Sequence, residues 1–125
     1  MPAPTELLEP PEIALLRRAL GEWIGPARCS DELAFAMGFT DAEDLRTRRQ
    51  QLDSALADDL PLSSADWARV LVASEIVFVS DLFGSGYEWR TTTGLDDETT
   101  IRTLRSIQRK LGPTLRPHYF KRPSE

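Results

Sequence analysis

The chain has 125 residues, 41% of them hydrophobic, and a net charge of −5. That length fits one domain, since single domains run to ~100–150 residues, and the apolar content excludes wholesale disorder. The single cysteine, Cys29, excludes an internal disulfide and a thiolate metal cage.

The charge is unevenly spread. Up to Glu98 there are 8 basic and 19 acidic residues, a net −11, and from Thr99 onward the net is +6. Such asymmetry points to a partner, or to a basic end that lies on the acidic body of its own domain. No basic segment followed by an apolar run opens the chain, so no signal peptide is expected. The longest apolar stretch, Val70 to Val79, is broken by Ser74 and Glu75 and falls short of the ~18–20 residues of a membrane span. The expectation is a soluble cytoplasmic protein with no membrane partner. Thirteen arginines against two lysines suggest a GC-rich bacterial genome.

In chain order, residues 1–11 carry Pro2, Pro4, Pro10 and Pro11 and are expected to be extended or disordered. A helical domain is expected over 12–112. The first helix starts near Pro10 or Pro11, where proline suits a first turn, and Ile13, Leu16, Leu20, Trp23 and Ile24 make its apolar stripe. Gly25-Pro26 ends it. A short second helix follows the N-cap Ser30 and stops at Gly38. Thr40 and Glu43 read as the capping box of a third helix with sparse apolar positions.

A fourth helix starts after Ser63 or Ser64 and runs to Gly84. Trp67, Val70, Leu71, Val72, Ala73, Ile76, Val77, Phe78 and Val79 cover nearly every face, the signature of a central buried helix. Residues 84–94 read as a loop or short extended segment, with a hairpin over 83–93 left open. The fifth helix begins at Leu95-Asp96-Asp97-Glu98, has Ile101, Leu104, Ile107 and Leu111 as its apolar face, and stops at Gly112-Pro113. Residues 113–125 read as a basic tail. The expected fold is all-α, a single domain of about five helices around the fourth.

No constellation signals catalysis, so no enzyme, cofactor or metal is expected. One histidine and one cysteine, far apart, make no metal set. The carboxylate pairs lie at helix ends and in loops, and Gly84-Ser85-Gly86 lacks the third glycine of a phosphate loop. Glu75 stands out, because an ionised carboxylate in the most apolar helix costs several kcal/mol unless paired. One reading is a salt bridge to Arg102 or Arg105. The other is a partner-binding residue in a pocket with Ser74 and Trp67. Tyr87, Trp89 and Arg90, in a glycine-flanked loop, are the residue types that dominate interface hot spots, and they join Glu75 as the candidate partner-binding set; the other reading is that Tyr87 and Trp89 fold back to cover the core.

Nucleic acid is the alternative partner. Asp31 to Ala34, followed by Gly38-Phe39-Thr40, resembles the helix-turn-helix of bacterial transcription regulators, with a reading helix from Asp41. Asp41, Glu43 and Asp44 would repel phosphates there. Arg102, Arg105 and Arg109 form a stripe on the fifth helix, continued by Lys110, Arg116, Lys121 and Arg122 beside His118, Tyr119 and Phe120. Cations interleaved with aromatics suit an RNA-facing surface. A third reading is a small-molecule binder around Glu75 and Trp89.

The residues Asp66-Trp67 through Glu75-Ile76, Ser80-Asp81, Gly84-Ser85-Gly86, Glu88-Trp89, Thr93-Gly94-Leu95 and Ile107 to Leu111 look like those of small uncharacterised helical proteins of actinomycetes. That resemblance implies no activity. In size, acidity and compactness the chain is also similar, in general character only, to immunity proteins that neutralise bacterial toxins. The expected function is a non-catalytic protein-binding module, a toxin-neutralising immunity protein in its most concrete form.

Overall fold

The computed structural model describes residues 2–25 and 27–119, the side chains of 118 and 119 excepted. Among the described residues there are seven α-helices and no strand. They are α1 (Pro4–Leu7), α2 (Pro10–Glu22), α3 (Asp31–Ala36), α4 (Ala42–Ala57), α5 (Ser64–Val79), α6 (Trp89–Thr93) and α7 (Asp97–Tyr119), with a 3-10 turn at Gly86–Glu88. The all-α class read from the helical spacing is what the chain adopts.

Helix starts follow the capping chemistry. Ser30 Oγ accepts from the Leu33 amide and Ser63 Oγ from the Asp66 amide, both at 3.1 Å. The α4 cap sits one residue later than the Thr40–Glu43 pair predicted. Asp41 accepts from the Asp44 amide at 2.8 Å, and Asp44 reaches back to the Thr40 amide at 2.9 Å. Asp31 of α3 takes the Ala42 amide at 3.0 Å, so one helix caps the next.

Three segments depart from the sequence reading. Residues before Pro10 are not all extended, because α1 buries Pro4 and is followed by buried Leu8. Thr5 clips it to the loop after α4, its amide and hydroxyl donating to Asp59 at 2.9 and 2.7 Å. The 84–94 segment is no hairpin. It forms the 3-10 turn and α6, and it starts from Gly84, where a Cβ would collide with the Val77 backbone. Thirdly, α7 runs through Gly112-Pro113 to Tyr119. Proline removes one helical hydrogen bond, but Pro113 and Pro117 are four apart on the exposed side, as is Arg109, so the carbonyls left without donors face water. Buried Leu111 and Leu115 hold the other side of the helix down.

The core lies where α2, α5 and α7 pack against one another. Leu16, Leu20, Trp67, Val70, Val77, Ile107 and Leu111 are fully buried there, each worth ~1.5–3 kcal/mol. Helix α4 packs on α2, and α3 on α4. The expected central helix, α5, shares that role with α2, which touches α1, α4, α5 and α7. Ile24, assigned to the core stripe, points to solvent. No helix among the described residues is long and apolar enough to cross a membrane.

Leu115 tests the continuation of α7. Leu115→Ala is expected to destabilise by about 2–4 kcal/mol in denaturant unfolding. A loss of a few tenths would mean that α7 ends near Gly112.

Candidate functional site

Helix α5 has two faces. Trp67, Val70, Ser74 and Val77 point into the core, while Ala68, Val72, Glu75 and Val79 form a stripe on the other side that ranges from half-buried to exposed. Along α7, the stripe facing this side contains Ile101, Arg105, Gln108, Gly112 and Arg116. An open trough runs between the two helices. One section of about 520 Å³ is closed at its far lip by Ala36, Met37 and Gly38 at the end of α3. A second section of about 260 Å³ continues towards Phe78, Val79 and Ile101. Small residues make the room: Gly112 offers no side chain, and the Arg116 guanidinium lies over it.

Glu75, Gln108 and Arg105 line both sections. Glu75 Oε2 accepts from Gln108 Nε2 at 2.6 Å, and Gln108 Oε1 accepts from Arg105 at 2.9 Å. The salt bridge expected from Glu75 to Arg102 or Arg105 is therefore replaced by an amide relay, with Arg102 pairing instead with Glu98 at 2.5 Å. The alternative pocket of Glu75 with Ser74 and Trp67 does not form either, because those two side chains point into the core.

The aromatic loop divides. Trp89 is 0% exposed, its indole N–H donating to Thr100 Oγ1 at 2.8 Å and its ring meeting Phe78 edge-on at 5.4 Å. It is a core residue and drops out of the partner-binding set. Tyr87 is 81% exposed, and Arg90 is exposed too. Both stay accessible, on the turn and short helix that follow α5.

The cations of α7 divide as well. Lys110 Nζ donates to the buried Glu12 of α2 at 2.6 Å. Burial pushes the Glu12 carboxyl up, but the Lys110 ammonium and the Glu9 amide outweigh it and hold it below its ordinary 4.5. Thus part of the basic end does lie on the acidic body. Arg105, Arg109 and Arg116 form no ion pair among the described residues and share the flank of α7 beside the trough. Lys121 and Arg122 lie outside the described residues. In the helix-turn-helix-like segment, Asp31, Asp41 and Asp44 cap α4, so its first turn presents carboxylates where a DNA reader needs donors.

The structure thus brings Glu75, Arg105 and Arg116 to one trough and separates them from Tyr87 and Arg90. Gln108 and Gly112 were missed. Their spacing of seven and eleven residues from Ile101 puts them on the stripe with Arg105, and carrying the periodicity past Pro113 adds Arg116. Among the described residues no three His, Cys, Asp or Glu side chains gather around one point. Burial raises the Cys29 thiol, against the pull of Arg46, so the thiol is not activated. Comparison with protein-family models, curated proteins and solved structures gives no match.

Trp89→Ala is expected to cost about 3–5 kcal/mol, and Tyr87→Ala a few tenths at most. Comparable losses for both in urea unfolding would contradict this placement. The Glu12 carboxyl is lowered by folding, so its contribution is complete above 4.5 and is lost as pH falls through its folded value. Lys110→Met leaves that buried carboxylate without its cation. We expect a loss of about 1–3 kcal/mol at neutral pH, narrowing as the pH drops below 4.5. A gap independent of pH would show that the pair adds nothing.

Proposed function

We propose that this chain is a non-catalytic protein-binding module whose partner docks in the trough between α5 and α7. The observation that carries the reading is the mismatch between α5's composition and its burial. The helix is apolar on nearly every face, yet the fold buries one face fully and leaves the stripe along the trough only partly covered. Val79 is 71% exposed and Ile101 48%, with Leu71 and Val72 half-covered along the same trough. Apolar surface left uncovered beside polar groups supports an interaction site, here in two sections that meet at Glu75 and Gln108. The narrower form of the reading is neutralisation of a toxin, supported by small size and an acidic body.

The products of adjacent genes are the first partners to assay. We expect one of them to bind at 1:1 and to be lost with Val79→Asp or Ile101→Asp, two exposed trough positions where the change keeps the wild-type unfolding midpoint. Binding that survives both variants would remove the trough from the interface. Binding to labelled RNA that weakens steeply with salt and disappears with Arg109→Glu would favour the nucleic-acid alternative instead.

A further inference from the structure

The trough has a length, a charge and a polar mark, and together they specify its occupant. From Ile101 to Arg116, α7 advances about 22 Å, or roughly four helical turns. The two trough sections run along that length and share Glu75, Arg105 and Gln108 at their junction. A cavity for a small molecule is compact, whereas a trough of this length between two helices fits a third helix laid along them. The core stripe of α5 is already covered. A helix on its opposite stripe would complete a four-helix arrangement.

The charges are one-sided. At the α3 lip of Ala36, Met37 and Gly38 the charge is neutralised, because Arg69, which donates to the Gly38 carbonyl at 2.7 Å, pairs with Asp66 at 2.8 Å. The α7 flank carries Arg105, Arg109 and Arg116, which form no ion pair among the described residues. Their spacing of four and seven residues repeats with the helical turn, so carboxylates spaced likewise on an adjacent helix would meet them. Glu75 is the polar mark. Covering it would strip water from a carboxylate whose Oε2 holds only Gln108. The occupant must supply a donor at that level.

We propose that the partner presents an amphipathic helix with an acidic flank and one hydrogen-bond donor at the centre of its apolar face. This rests on the reading that the trough is a protein-docking site. A second copy of this chain would bring a matching arginine flank, so self-association is disfavoured.

Three stapled helical peptides of about four turns test it against the full chain. They share one Leu/Ile face with a central Asn and differ only in flank: Glu, Gln or Lys. We expect the Glu peptide to bind about tenfold more tightly than the Lys peptide, and the difference to shrink with salt. The variant carrying Arg105→Glu, Arg109→Glu and Arg116→Glu should reverse the order. Arg109→Glu alone, at a side chain with no ion pair, should narrow it. Amide shifts should map to α5 and α7, and Val79→Asp, at an exposed trough position, should abolish binding. Equal binding of the Glu and Lys peptides in the trough would overturn the acidic partner and leave the docking site standing. No binding of any peptide would overturn both. A dimer dispersed by Val79→Asp would make the occupant a second copy.

Discussion

The seam where α2, α5 and α7 meet is what the rest of the molecule depends on. Trp67, Val70 and Val77 of α5 close against Leu16 and Leu20 of α2 and Ile107 and Leu111 of α7. Most of the stability of these helices comes from their packed faces, because helical stability in proteins rests on tertiary packing more than on propensity. Two hydrogen bonds link the periphery to the seam. The Trp23 indole donates to the Ala73 carbonyl at 3.1 Å, and that of Trp89 to Thr100 at 2.8 Å. Both satisfy a buried donor with an acceptor on another helix, 50 residues away for Trp23 and 11 for Trp89, so they favour one arrangement of the helices over its competitors.

Opposite charges add a further constraint across the same seam. Glu12 ties the start of α2 to Lys110 near the middle of α7. The same carboxylate takes the Glu9 amide at 2.7 Å, so one side chain both begins its own helix and holds another. The acidic first part and the basic last part of the chain are thereby joined in at least one place. Arg105 and Arg116 of that last part line the trough instead. Charge that the fold consumes and charge that it leaves over are distinguishable only in three dimensions.

The trough exists because packing is finite. A helix as apolar as α5 can be covered on all sides only where enough other helices surround it. In this fold α2 and α7 cover one side, and α3 reaches the other only at its tip. Gly112 and Ala68 keep the gap open, and Glu75 with Gln108 keeps its middle polar.

Sequence alone determined the all-α class, the caps at Ser30 and Ser63, the apolar stripes of α2 and α7, and the apolar character of α5. These are local properties, governed by capping chemistry and a repeat of 3.6 residues. Tertiary structure decided which of two competing local signals prevailed. Gly112-Pro113 reads as a stop, but burial of Leu115 outweighs the missing hydrogen bond. Trp89 in a glycine-flanked loop reads as a contact residue, but Phe78 and Thr100 make it core. Glu75 reads as a salt-bridge partner, but the amide of Gln108 stands between it and Arg105. Each of these outcomes depends on residues distant in sequence, and no local pattern records which of them a side chain will meet.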